Sequence, residues 1–377
     1  MKSIYFIGDL KPDNKLKVTF SDSLVKKIGE ADFVIANLEA PITDSKKLTK
    51  KTGQNFKLPL GTASLLNEYG IKAVTLANNH ITDYGAKGVL DTVKICNSNG
   101  IQTVGAGSNL NEAKKPLRLE LSGQTISIIN TCENEFNKAS LNSPGANTFD
   151  FRSIFNEIQN EKKLLNTVIV VFHGGVEYVQ YPSPMIVNIF KYLIDIGVDC
   201  VVSHHTHFYS GAILYKDKPI IFGLGNFYKE SKKRLPNQRL NKGLIAKIDI
   251  GENKKIKYSL IPTIQDNQLK TVDLLSGIQK ETTLNDIDEI SNTIDNKEEL
   301  ERFWISYIEK EKKNIINLIF SKSKIQYKLR KKVPFLNKPS DYQSKVLLNL
   351  IQCDSHRYKV TKVLESLYNK KKSNESE

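Results

Sequence analysis

Across residues 1–262, short β-branched runs alternate with segments of helical spacing, and this alternation constrains the fold more than any other feature. Ser3–Ile7, Phe33–Ala36, Ala73–Ala77, Thr125–Asn130, Thr167–Phe172 and Cys200–Ser203 read as buried strands, being short and rich in Val, Ile and Thr. Between them, Ser21–Gly29, Thr62–Tyr69, Tyr84–Asn99 and Met185–Gly197 have helical spacing. Tyr84–Asn99 sets Val89, Val93 and Cys96 on one face and is closed by Gly100. Alternation of this kind predicts a layered α/β fold. Beyond Gly223 the pattern changes to a hairpin, Leu244–Ile250 and Lys255–Pro262, turning through Gly251-Glu252-Asn253. Strand signals stop near Leu284. Asn285–Phe320 and Tyr342–Tyr368 read as Lys-rich helices separated by Val333-Pro334 and Lys338-Pro339. The expected division is an α/β domain over 1–265 and a basic α-helical extension over 285–377.

One stretch within that extension is strongly basic. Of a net +14, the stretch Glu309–Lys372 contributes +12, with 17 Lys/Arg against 5 Asp/Glu. A basic tail suits an anionic polymer, an anionic membrane surface or nucleic acid, and it is equally compatible with a solvated helical appendage. It lacks the interleaved aromatic residues of a nucleic-acid stacking platform, so nucleic acid ranks last. The four cysteines are isolated, with no CxxC pair, which fits a reducing compartment. The opening MKSIYFIGDL has no signal-peptide pattern, and no run reaches the roughly 18–20 apolar residues of a membrane span. The reading is a cytoplasmic protein, able to sit peripherally on a membrane through the tail.

Only six histidines occur in the chain, and five fall in three clusters at or just past predicted strand ends. These are Asn78-Asn79-His80, His173-Gly174-Gly175 and His204-His205-Thr206-His207. Gly8-Asp9 and Asn37-Leu38-Glu39 follow the same rule with acidic residues. Ligands of open α/β sheets bind outside the carboxyl ends of the strands, so five such ends can share one site. Imidazole, carboxylate and amide oxygen form a mixed set suited to Mn, Fe or Zn. On a regular strand, His205 and His207 would point to one face and His204 to the other. Asp83 could cap the helix that follows it or orient His80 through a ring N–H. Glu177 is a candidate general acid or base, with an ordinary surface carboxylate as the alternative. The glycines before it permit either a tight turn or close approach of a ligand.

Taken together, these motifs resemble the CapA (poly-γ-glutamate capsule biosynthesis) family, within the calcineurin-like metallophosphoesterases. Gly8-Asp9, Asn37-Leu38-Glu39-Ala40-Pro41, Leu76-Ala77-Asn78-Asn79-His80, His173-Gly174-Gly175-Val176-Glu177, His204-His205-Thr206-His207 and Gly223-Leu224-Gly225-Asn226-Phe227 carry the likeness, in order, over about residues 4–230. The resemblance implies a metallophosphoesterase-like β-sandwich flanked by helices, with one or two divalent ions at one edge. By that analogy Asp9, Glu39, Asn79, His173, His205 and His207 would be metal ligands, and His80 the acid near a leaving group. Asn37 and Asn226 would support them, with His204 behind. The Asp-x-His of ordinary metallophosphoesterases is here Asp9-Leu10-Lys11, and Asn37 and Glu39 stand where Gly-Asp is usual. Both departures argue against a complete two-metal centre.

Two functions follow. One is a metal-dependent hydrolase acting on a phosphoester or amide in the synthesis of an anionic capsule polymer. The other is a non-catalytic polyanion- or membrane-binding subunit, docked through its tail to membrane-associated capsule synthesis proteins.

Overall fold

The computed structural model describes residues 2–12, 16–51, 53–230, 238–320 and 341–374. Two sheets dominate it. In the larger, Lys2–Lys11 is central, lying parallel to Phe33–Leu38 and antiparallel to Lys242–Ile250. Phe33–Leu38 runs parallel to Ala73–Thr75, which in turn runs parallel to Gln102–Val104. The predicted hairpin is present as Lys242–Ile250 and Ile256–Asp266, paired antiparallel. The six-stranded sheet has Gln124–Cys132, Thr167–His173 and Cys200–His204 as parallel neighbours. Thr167–His173 is buried along its whole length, as an uninterrupted apolar run demands of an interior parallel strand.

Side-chain alternation along the first strand explains the layering. Ile4 and Phe6 share a core with Ile128, Val170 and Val202 of the second sheet. Tyr5 and Ile7 point the other way, packing with Leu24, Leu66 and Val89 of the helices Asp22–Ile28, Thr62–Glu68 and Gly85–Ser98. The outer face of the second sheet is covered by Phe151–Lys163 and Pro184–Asp195, through Ile154, Ile158, Ile186 and Phe190. Phe151–Lys163 has no counterpart among the predicted helices, although its start is signalled. The Asp150 side chain accepts from Ser153 N–H at 2.8 Å.

Most strands outrun their predicted ends, whereas the one expected over Ala73–Ala77 stops at Thr75. The first strand continues to Lys11, the second to Leu38 and the third sheet-two strand to His204, so Asp9, Asn37, His173 and His204 belong to the strands themselves. Toward the carboxyl end, each predicted helix is two. Gly277–Asp295 and Lys297–Phe320 break at Asn296, and Asp341–Gln352 and Asp354–Asn374 at Cys353. The predicted Val333-Pro334 and Lys338-Pro339 breaks lie outside the described residues. The C-terminal helices are partly buried: Ile287, Ile290, Ile294, Leu300, Trp304 and Ile308, and Val363 within the basic stretch, join the core of the two sheets. Trp304 also donates its indole N–H to the Pro182 carbonyl at 2.7 Å. Among the described residues, no helix is long and apolar enough to cross a membrane.

Candidate metal centre

The parallel strands of both sheets end on one side, and their last residues meet there. Gly8 permits the first contact: a Cβ on it would lie 2.4 Å from the Gly225 carbonyl oxygen, so a side chain there would hold Lys2–Lys11 away from Asn226–Lys229. The ladder register shifts at Asp9 on both sides of the strand, a bulge that re-aims this carboxylate. Asn37 donates from its amide to Asp9 Oδ1 at 2.8 Å and to Glu39 Oε2 at 2.7 Å, holding two carboxylates side by side. Its own carbonyl oxygen accepts from Thr75 at 3.3 Å.

The second sheet brings the imidazoles. His173 Nε2 lies 3.2 Å from Asn79 Oδ1, 3.1 Å from His205 Nδ1 and 3.8 Å from Glu39 Oε2. His207 Nδ1 stands 3.1 Å from Asp9 Oδ2 and His204 Nδ1 3.4 Å from Asp9 Oδ1. The face-alternation argument for the three histidines does not hold, because the strand stops at His204. His205 (φ 95°) and His207 (φ 59°) lie in the left-handed region, as does Tyr178 (φ 62°). Non-glycine residues adopt it at a cost of about 1–3 kcal/mol each, and such strain gathers at functional sites. All of Asp9, Asn37, Glu39, His173, His204, His205, His207 and Asn226 are buried, whereas Asn79 and Glu177 are half-buried and mark the open side.

Electrostatics follow from that burial. Burial pushes Asp9 upward, yet the hydrogen bonds and charges of His204 and His207 hold it well below its ordinary range. Glu39 is raised well above, by burial and then by the Asp9 charge. Burial holds His173 well below its ordinary value and takes His205 down to about 4, so both imidazoles are neutral and able to donate a lone pair. Glu177 is pushed up by burial and down by His205, His207, Lys229 and His80, ending lowered and ionised.

The donor set fits a divalent cation. One ligand atom each from Asp9, Glu39 and His173 lie within 4.8 Å of one another. Glu39 Oε1 and Asn226 Oδ1 are buried with no hydrogen-bond partner among the described residues, although Asn226 donates to the Leu240 carbonyl at 3.2 Å. Buried oxygens of this kind are unusual unless a cation or water completes them.

Asp83 does not cap a helix. The following helix starts after Tyr84 with no side-chain cap, and Asp83 Oδ2 instead meets His80 Nδ1 at 2.7 Å and accepts from Phe56 N–H at 2.7 Å. Burial raises Asp83 to about 6, and the ion pair with Lys51 opposes the rise. His80 is pulled well below its ordinary value by burial and then by Lys51.

Sequence reasoning missed Lys229, Lys51 and Glu133 as site residues, and named Lys11 only as the residue standing where a histidine is usual. Lys229 Nζ lies 2.7 Å from His207 Nε2, and Lys51 Nζ is 3.1 Å from the Asn79 carbonyl. Lys11 is buried with its ammonium over the Phe56 ring, lowered by burial and by Lys229. No motif announces a lysine. Glu133 had a signal: it follows the Gln124–Cys132 strand directly, as Glu39 follows Phe33–Leu38. Burial raises it to about 7.

Residues 5–231 match the family described as "Bacterial capsule synthesis protein PGA_cap". The chain is 31% identical over 206 residues to "Capsule biosynthesis protein CapA" of Bacillus anthracis, covering 52% of this chain and 50% of that protein. It is 30% identical over 238 residues to "PGA biosynthesis protein CapA" of Bacillus subtilis (strain 168), covering 60% of this chain and 62% of that one. A "Probable polyglutamine synthesis accessory protein" of Mycobacterium tuberculosis is 26% identical over 208 residues, covering 52% and 55%. The chain thus spans about half to three fifths of the length of these relatives.

Proposed function

Since the chain belongs to the bacterial capsule synthesis protein PGA_cap family, we propose that it acts in capsule or surface-polymer biosynthesis as a metal-dependent hydrolase on a phosphoester or amide. Poly-γ-glutamate or an anionic polysaccharide is the polymer in this reading, and Mn, Fe or Zn the ion. The proposal includes a metallophosphoesterase-like β-sandwich, a division into 1–265 and 285–377, and a cytoplasmic protein docking to membrane-associated capsule synthesis proteins through its basic tail.

One observation carries it: the buried Asp9, Glu39 and His173 donors converge within 4.8 Å, with His205 beside them and His207 against Asp9. A divalent cation held by Asp9, Glu39, Asn79, His173, His205 and His207 would polarise a phosphoryl or acyl oxygen and lower the pKa of a bound water. The remaining work falls to side chains. Asn37 keeps Asp9 and Glu39 together against their repulsion. Asp83, ionised at neutral pH, accepts the His80 Nδ1 proton and leaves Nε2 to exchange one with the substrate. Glu177, ionised on the open side, can take a proton from water, and Lys229 and Lys51 supply positive charge for an anionic substrate.

The test is hydrolysis of bis(p-nitrophenyl) phosphate and γ-glutamyl-p-nitroanilide with added Mn, Fe or Zn. Metal-dependent turnover of either, lost in Asp9→Ala and in His205→Ala with His207→Ala, is the expected result. A metal-loaded protein inert toward both, and toward poly-γ-glutamate, would favour the alternative: a non-catalytic polyanion- or membrane-binding assembly subunit. Lys11, in place of the histidine of Asp-x-His, is the observation on that side.

A further inference from the structure

Glu133 is a fully enclosed carboxylate, and such a group persists only where donors surround it. Four do so here, three from Cys353 and Ser355 and one from the loop after His173. Ser355 donates to Oε1 from both its hydroxyl, at 2.6 Å, and its backbone N–H, at 3.1 Å. Oε2 accepts from Gly175 N–H and from the Cys353 thiol, each at 3.3 Å. Room for the glutamate exists because position 174 is glycine. A Cβ there would lie 2.6 Å from Glu133 Cγ, so the glycine that sequence reasoning reserved for a ligand or a turn is filled by this side chain.

Gly175 sits midway between His173 and Glu177, at φ +111°, where the chain leaves the strand. Its neighbours are fixed by Glu133 N–H to the His173 carbonyl at 3.0 Å, and by Tyr178 N–H to the Thr206 carbonyl at 2.9 Å. The loop's own amide at Gly175 is thus held by a carboxylate whose other oxygen belongs to the C-terminal helix Asp354–Asn374. His356 and Lys359 follow Ser355 on the same helix, Asp354–Asn374. None of this segment falls within the residues that match the family, 5–231.

We propose that Ser355, acting through Glu133, is a positioning residue for the His173–Glu177 loop, so that the C-terminal helix pair is a working wall of the metal centre. This rests on the metal-centre reading above. Removing the hydroxyl leaves one Glu133 oxygen short of its strongest donor. The carboxylate then relaxes, and Gly175, His173 and Glu177 lose their common reference. Supporting partners of metal ligands characteristically change metal affinity about 10- to 100-fold.

Two measurements on the full-length chain decide it. In Ser355→Ala, hydrogen exchange of the peptide spanning 173–178 should quicken about tenfold while that of 200–204 stays unchanged. Zn2+ titrated calorimetrically should bind about tenfold more weakly. Glu133→Gln provides a second variant should Ser355→Ala fold poorly. Its amide oxygen still accepts from Ser355, but its NH2 cannot accept from Gly175, so the loop should loosen likewise. Unchanged exchange at 173–178 in both variants would overturn the proposal, as would a loosened loop that binds Zn2+ as tightly as the wild type. Wild-type protein that binds no Zn2+ would instead remove the metal-centre reading, and loop exchange alone would then decide whether Ser355 positions 173–178.

Discussion

The two ends of the first strand hold the same kinds of group in opposite circumstances. At its start, Lys2 and Asp32 form an ion pair at 2.7 Å with side chains 44% and 27% exposed. At its end, Asp9 faces His204 and His207 with 1–2% exposed on every side. Water solvates the first pair whether or not it forms, so its contribution to stability is under about 1 kcal/mol. The second cluster has no such alternative. Two carboxylates share one enclosed space: His204 and His207 offset the charge of Asp9, whereas burial and Asp9 push Glu39 well above its ordinary range, so a second negative charge there is expensive. In the proposed reading a cation would supply there what water supplies at the other end. The fold therefore concentrates its electrostatic cost where parallel strands terminate, which is where chemistry is available.

That contrast can be broken in graded steps. The largest effect is expected from His205→Ala with His207→Ala, which should abolish metal retention, read by elemental analysis, while the protein stays soluble. Chelation of the wild type should come next. A cation at 100 times its dissociation constant stabilises by about 2.7 kcal/mol, so EDTA should lower the melting temperature by several degrees, and should not do so in the double variant. Asp83→Asn should follow, with metal content unchanged but turnover reduced about 10- to 100-fold, since His80 loses the partner that fixes its ring. The smallest effect belongs to the exposed end: Lys2→Ala, which removes the ion pair but leaves Asp32 to accept from Ser3 N–H, should shift chemical denaturation by no more than about 1 kcal/mol. A Lys2 variant as damaging as the site variants would mean that the two ends do not differ as described.

Much of the centre was legible because it obeys a positional rule. Histidine is rare in this chain, and five of six stand at or just past predicted strand ends, so position drew these clusters together with Asp9 and Glu39, while the family resemblance implied which of them would be ligands. The layered α/β pattern was legible for a similar reason, since Ile4 and Phe6 alternate with Tyr5 and Ile7. What escaped was non-local or conformational. The backbone at His205 and His207 leaves the strand with positive φ, which no propensity of histidine foretells. Ser355 meets Glu133 across 222 positions, and nothing in either neighbourhood names the other. Lys229 and Lys51 reach the site as long, flexible side chains from unremarked positions.

The most direct test of the centre is the metal content of protein purified without chelator, measured beside the His205→Ala, His207→Ala variant. About one or two equivalents of Mn, Fe or Zn in the wild type, absent from the variant, is the expected result. No metal in either protein after reconstitution with all three ions, or equal metal in both, would contradict it.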